Sequence, residues 1–278
     1  MIAPAKLNLC LYLGPLRADG LHELCSLFAP LSLADRLTAT EAEHDEVRCP
    51  GVEPPDLSAR ALAALRKAGW RRAPLLIEVE KRIPVAAGLG GGSADAAAVL
   101  RLAGDEVEGT PVRDLAPALG ADVLSQLDPR FALVGGAGER VTPLPEPEPF
   151  FAVLVPASEG LRTADVYAEA DRLGLARPEA ELERLRGELL GATATGASPL
   201  SYPELLVNDL AEAAIALQPS IEEALEALRG VGAAIAIVTG SGPTAVGLFA
   251  ERAAAEAAGE ELGRVGRQAI VSGSGMGA

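Results

Sequence analysis

The chain has 278 residues, 49% of them hydrophobic, with 39 acidic and 24 basic side chains and a formal net charge of −15. This length allows one large or two modest domains with a sizeable core, and the acidic balance argues against nucleic acid or a membrane surface as partner, because both attract basic faces. Apolar runs are strand-sized and broken by Gly, Pro or charge, and the N-terminus MIAPAKLNLC lacks a basic segment leading into an apolar core, so a cytoplasmic protein is predicted. Cys10, Cys25 and Cys49 show no CxxC spacing and only two histidines are present, so reduced thiols and no zinc site are expected.

In chain order, residues 3–13 read as an apolar strand interrupted by Lys6 and Asn8, which lie two apart and therefore on one face. A lone lysine on a strand ordinarily reaches solvent; paired with Asn8 it becomes a candidate site. Residues 56–68 read as a helix. LLIEVE, residues 75–80, alternates in the period-2 pattern of a strand and is rich in branched apolar side chains. Four glycines then fall within five positions, Gly88, Gly90, Gly91 and Gly92, before an alanine-rich run to Leu100 with Ser93 at the expected helix N-cap and Asp95 in the first turn.

Strand, glycine loop and helix in that order suit an anion, most often phosphate. Glycine lets the backbone come close to a ligand, and a helix start offers unpaired N–H groups at the positive end of its dipole. A tight turn would explain one or two glycines, but four exceed what a turn needs. No Gly-Lys-Ser/Thr follows, which excludes a Walker A loop; the glycine spacing misses the dinucleotide fingerprint, which sets aside a Rossmann oxidoreductase; and the chain has no His-Arg-Asp or Asp-Phe-Gly triplet of a protein kinase.

Further along, Asp122 follows a Gly-Ala turn. Acids are common at such places, yet an acid in a cleft beside Lys6 would stay ionised and able to accept a hydroxyl proton. The proline-acidic segment 142–150 reads as a stiff connection between two domains, residues 1–148 and 149–278. After it come a strand at 151–156, helical segments within 163–173, 179–190 and 209–228, strands at 233–238 and 244–249, a helix at 251–262 and a last strand at 268–272. With the first helices taken as one layer, this is the β-α-β-β-α-β order of a ferredoxin-like domain. The first half has strands not regularly separated by helices, which favours α+β over a doubly wound sheet. Gly240-Ser241-Gly242 sits between two predicted strands, where a hairpin turn is sufficient explanation, but a second glycine turn beside a phosphate loop raises the prospect that both face one ligand.

Together these stretches resemble the GHMP kinases, small-molecule kinases with an N-terminal motif, a glycine-rich phosphate loop and a late Gly-Ser-Gly turn. Pro84-Val85-Ala86-Ala87-Gly88-Leu89-Gly90-Gly91-Gly92-Ser93 matches the loop; Ala5-Lys6-Leu7-Asn8-Leu9, Arg17-Ala18-Asp19-Gly20-Leu21-His22, Gly120-Ala121-Asp122-Val123 and Asn208-Asp209-Leu210 resemble the branch whose acceptor carries a cytidine diphosphate. The resemblance implies a two-domain α+β fold, with a nucleotide-binding N-terminal domain and a ferredoxin-like C-terminal one. It also implies ATP with Mg²⁺ and transfer of a phosphoryl group to a small alcohol. It implies Lys6 and Asp122 as the catalytic pair and the loop Pro84, Val85, Ala86, Ala87, Gly88, Leu89, Gly90, Gly91, Gly92, Ser93 and Ala94 around the ATP phosphates. The implied substrate contacts are Asn8, His22 at the cytosine, Thr163, Tyr167 as an aromatic against the base, and Gly240, Ser241 and Gly242. Leu21 stands where the family usually has a tyrosine that stacks on the cytosine. Two alternatives stay open on the sequence: a related kinase with another alcohol as acceptor, and a silent nucleotide-binding homologue.

Overall fold

The computed structural model describes residues 1–275. Two long strands come first, β1 (Ile2–Leu16) and β2 (His22–Glu41), followed by β3 (Glu46–Arg48), helix α1 (Leu57–Lys67), β4 (Leu75–Glu80) and α2 (Gly91–Leu100). A short ribbon of β5 (Glu106–Val107) and β6 (Thr110–Pro111) leads to α3 (Val123–Leu127), β7 (Ala132–Gly136) and β8 (Arg140–Pro143). The remainder runs β9 (Phe151–Val155), α4 (Thr163–Leu173), α5 (Glu179–Thr193), α6 (Ala211–Leu217), α7 (Ser220–Gly230), β10 (Ile235–Val238), β11 (Ala245–Phe249), α8 (Arg252–Arg264) and β12 (Ile270–Gly273).

The chain forms two compact units that interleave in sequence. The first comprises Met1–Ala5, Leu33–Val85 and Gly90–Pro129; the second comprises Lys6–Ser32, Ala86–Leu89 and Arg130–Ala278. In the first unit β4 pairs antiparallel with the later half of β2, from Arg36 opposite Glu80 to Glu41 opposite Leu75, and β3 lies parallel to β4. The alternation in LLIEVE is used as expected: Leu75, Ile77 and Val79 are buried while Glu78 and Glu80 face water. Helix α1 contributes Ala61, Leu62 and Leu65 to the same core. Every residue of α2 from Ala94 to Leu100 is buried, the pattern of a helix enclosed on all sides.

In the second unit, the early half of β2 pairs with β7, and β7 with β8. The second sheet of this unit is wholly antiparallel in the order β10-β11-β9-β12. Numbered from β9 as the first strand, that is 2-3-1-4, the ferredoxin-like order expected from the chain's second half. Val153 and Val155 from β9 pack with Val166 of α4, Ile221, Leu225 and Leu228 of α7 and Leu262 of α8. The proline-acidic run after β8 has no regular structure up to Phe150, and it is tied down at both ends. Leu144 N–H donates to the Phe131 carbonyl and Glu148 N–H to that of Gly196. No helix among the described residues is long and apolar enough to cross a membrane.

Helix α1 begins where the sequence places it because Asp56 caps it: one carboxylate oxygen accepts from the N–H groups of Ser58 and Ala59, at 2.8 and 3.0 Å. Asp56→Ala should destabilise the protein by about 1 kcal/mol, the usual cost of losing such a cap, as read from the urea unfolding midpoint; an unchanged midpoint would show that the cap carries no stability.

Candidate active site

Lys6 and Asn8 point to the same side of β1 inside the second unit, and both are buried. The Lys6 ammonium donates to Asn8 Oδ1 at 2.5 Å and lies 4.8 Å from the centre of the Phe28 ring, a cation–π contact. The Asn8 amide nitrogen donates to Ser26 Oγ at 2.8 Å, and Ser26 in turn donates to the Cys10 carbonyl at 2.5 Å. Asn8 N–H donates to Thr239 Oγ1, which ties β1 to the turn between β10 and β11. The ordinary fate of a strand lysine, reaching solvent, is therefore not that of Lys6.

The middle of the glycine loop lies against that same turn. Lys6 N–H donates to the Leu89 carbonyl. Gly88 has φ +75°, and a Cβ there would stand 2.6 Å from the Gly242 carbonyl oxygen and 2.8 Å from that of Thr239, so only glycine fits. Asn208 holds the turn from behind: its amide nitrogen donates to the Val238 and Gly240 carbonyls, both at 2.7 Å, and its oxygen accepts from Leu210 N–H. The second unit thus brings Lys6, Asn8, residues 86–89 and Gly240, Ser241 and Gly242 together.

In the first unit α2 starts earlier than the sequence suggests. Its N-cap is Gly90, at φ +70°, not Ser93; Gly91, Gly92 and Ser93 form its first turn, and their N–H groups have no partner within the helix. Glycine tolerates the left-handed cap conformation, so the helix continues back through residues of poor intrinsic propensity. Pro84 and Val85 precede this turn in the first unit, with Val85 exposed, and Ala94 follows it buried. Asp122 is half-buried at the start of α3, where its carbonyl accepts from Gln126 N–H and Ser125 Oγ. The turn leading to Asp122 adjoins the loop: a Cβ on Gly120 would come 3.8 Å from Ser93 Oγ.

Beneath α2 lies a group that sequence reasoning missed. Lys81, just after β4, donates to Asp35 on β2 at 2.5 Å and to Asp95 on α2 at 2.8 Å. Asp35 is fully buried and also accepts from the N–H groups of Arg82 and Ile83. Two carboxylates share one ammonium, so burial pushes the Asp95 carboxyl up to about 7 against the opposing pull of Lys81, and Asp95 Oδ1 has no hydrogen-bond partner. Burial opposes the charge on Lys81, but the two carboxylates outweigh it and hold the ammonium above the usual lysine range. The only trace in sequence was an acid inside the apolar run of β2.

The remaining expected substrate residues also lie in the second unit. His22 is buried; its Nδ1 donates to the Gly14 carbonyl at 2.9 Å, and its Nε2 stands 3.0 Å from Asp171 Oδ1, out of line for a hydrogen bond. The ring lies 5.8 Å from that of Tyr167, tilted by 39°. Thr163, at the start of the same helix α4, shares a 3.1 Å hydroxyl contact with Ser241. Leu21, beside His22, is 53% exposed. The three cysteines are free thiols, and burial pushes those of Cys25 and Cys49 up to about 11, so neither is a poised nucleophile.

Comparison with known proteins shows which family the chain is similar to. Residues 56–135 match the model for the GHMP kinases N terminal domain and residues 179–268 that for the GHMP kinases C terminal domain. The chain is 40% identical over 272 residues to a 4-diphosphocytidyl-2-C-methyl-D-erythritol kinase of Anaeromyxobacter dehalogenans (strain 2CP-C), covering 92% of this chain and 82% of that protein. It is 38% identical over 273 residues to the enzyme of the same name from Streptomyces avermitilis, covering 93% and 90%. Among solved structures, a 4-(cytidine 5'-diphospho)-2C-methyl-D-erythritol kinase superposes with a TM-score of 0.81 at 35% identity, over 100% of this chain and 99% of that one.

The Asp95 carboxyl has a pH consequence. Its folded value, about 7, lies above the ordinary aspartate value of 3.8, so between these limits the folded protein holds a proton that the unfolded chain releases. That contribution to stability is complete below the lower value and is lost as pH rises through the upper one. Thermal melts should show the wild-type Tm falling relative to that of Asp95→Asn from pH 5 to pH 8, then levelling; parallel curves would show that Asp95 does not titrate there.

Proposed function

Since the chain belongs to the GHMP kinases and, within them, to the 4-diphosphocytidyl-2-C-methyl-D-erythritol kinases, we propose that it phosphorylates the 2-hydroxyl of 4-diphosphocytidyl-2-C-methyl-D-erythritol with Lys6 and Asp122 as its catalytic pair. ATP is the donor, and ADP and the 2-phosphate are the products. The observation that carries the residue assignment is the buried Lys6 ammonium, fixed by Asn8 Oδ1 beside a glycine turn that is itself packed on residues 86–89.

Phosphoryl transfer asks a protein mainly for positioning and charge stabilisation. On this reading Asp122 takes the proton of the attacking hydroxyl and Lys6 stabilises negative charge beside it. The residues Pro84 to Ala94 receive the triphosphate, with the open N–H groups of the first turn of α2 directed at anionic oxygens. Asn8 and the turn Gly240, Ser241 and Gly242 hold the acceptor near the reacting hydroxyl. His22, Tyr167 and Thr163 serve the cytidine end; with both His22 ring nitrogens facing protein oxygens, its ring face and main chain are what it offers a base. On this reading residues 1–148 form the nucleotide-binding domain and also lend Asn8 and His22 to the acceptor, while residues 149–278 form the substrate domain with the remaining acceptor contacts.

Mg²⁺ belongs to this reading as the ion that accompanies ATP. Such an ion would be carried largely on phosphate oxygens and water. The phosphate loop would hold it through the nucleotide, and it would neutralise phosphate charge that a chain of net charge −15 repels. ATP, small substrates and three free thiols support a cytoplasmic location.

ADP release measured with Mg-ATP and the cytidine acceptor tests the assignment. Asp122→Ala should lower kcat by about 10²- to 10⁴-fold, the span of general-base contributions, and Asp122→Ala at wild-type kcat would remove it from the mechanism. Leu21→Tyr should lower the KM for the cytidine acceptor by about one to two powers of ten, because base–aromatic stacking contributes about 1–3 kcal/mol. An unchanged KM would favour an acceptor without a base, such as another small alcohol.

A further inference from the structure

We propose that Ser26 is a positioning residue for phosphoryl transfer, setting the direction of the Asn8 amide and, through that amide, the place of the Lys6 ammonium. The inference rests on the reading that Lys6 and Asn8 serve the reaction. A primary amide fits its cavity equally well after a half-turn, with oxygen and nitrogen exchanged, so only its hydrogen-bond partners decide which end faces which neighbour. Here one proton, that of the Ser26 hydroxyl, bears on the decision at the nitrogen end. Ser26 Oγ carries one hydrogen and gives it to the Cys10 carbonyl at 2.5 Å. Toward Asn8 the hydroxyl therefore presents only lone pairs, and the amide must turn its NH₂ there, at 2.8 Å. Oδ1 is left facing Lys6, 2.5 Å from the ammonium.

Lys6, which can only donate, asks for the same orientation from the other side, and Ser26 holds it at the amide nitrogen of Asn8. The Asn8 main-chain N–H is held by Thr239 Oγ1 at 3.0 Å, which anchors the backbone but is indifferent to the amide flip. Asn8 and Ser26 are each 2% exposed, so water does not take over when the partner is lost. Phe28, two residues from Ser26 and hence on the same face of β2, places its ring 4.8 Å from the Lys6 ammonium. One face of β2 thus carries both a support for the ammonium and the hydroxyl that orients its acceptor. With the Ser26 hydroxyl gone, the buried Asn8 NH₂ has no acceptor, the amide rotates in search of one, and Oδ1 is drawn off the line of the ammonium. The Cys10 carbonyl, one link further away, acts only through Ser26.

The test is a mutant cycle of wild type, Ser26→Ala, Asn8→Ala and the double variant, with Lys6→Ala alongside, read as kcat and KM for ATP and the cytidine acceptor. Ser26→Ala should lower kcat about 10- to 100-fold, the scale expected when a buried donor loses its partner, with the KM for ATP unchanged. The double variant should match Asn8→Ala alone to within about twofold, because a residue acting only through Asn8 has nothing left to orient. Single effects that multiply in the double variant, or wild-type kcat in Ser26→Ala while Asn8→Ala and Lys6→Ala are impaired, would overturn the proposal and leave the kinase assignment standing. Unimpaired Lys6→Ala and Asn8→Ala would overturn both. If Ser26→Ala does not fold, Ser26→Cys, similar in volume but a weak acceptor, carries the same cycle with the same expected outcomes.

Discussion

The approach of Gly88 to the carbonyls of Thr239 and Gly242 is the constraint on which the arrangement around Lys6 and Asn8 within the second unit depends. At 2.6 and 2.8 Å from an imagined Cβ, two stretches of main chain meet more closely than any side chain permits. Positive φ and the lack of a side chain are both required at this point. Around it the hydrogen bonds are saturated: Asn208 uses both amide hydrogens and its oxygen on main-chain groups, and Lys6 N–H takes the Leu89 carbonyl. The Lys6 side chain, packed between Asn8 Oδ1 and the Phe28 ring, is placed by this scaffold rather than by its own flexible stem.

Charge is organised with the same economy. A chain of net charge −15 that accepts a triphosphate must keep its acidic groups from the anion or neutralise them. In the first unit, Asp35 and Asp95 lie against α2 yet share Lys81, and the Asp35 carboxylate accepts two main-chain N–H groups besides. Removing Lys81 would leave buried carboxylate charge without compensation, which costs far more than a surface ion pair contributes.

Much of this was legible in sequence wherever one physical pattern dominated. The alternation of LLIEVE gave β4 at its observed bounds; the helix read over residues 56–68 is α1 with its two caps; and α4, Thr163–Leu173, ended at Gly174, whose φ of +70° suits a helix terminus. The start of α2 was not legible, because Ser93 has the chemistry of a cap and glycine is a poor helix former, whereas packing of the buried alanines extends the helix back to Gly91. Lys6 and Asn8 could be paired because they are neighbours on one strand. Asp35 and Lys81, 46 residues apart, and Ser26, a small polar residue in an apolar strand, become recognisable only when the fold sets their partners beside them.

The alanines of α2 have one more consequence. A segment that must stay ordered under a ligand gains from having little disorder to lose, and alanine has no side-chain rotamers to freeze. Four of the seven residues from 94 to 100 are alanine, and all seven are buried. Ligand binding at the head of this helix would find most of the conformational entropy already surrendered during folding, so the binding free energy need not be spent on ordering the helix that presents the N–H groups.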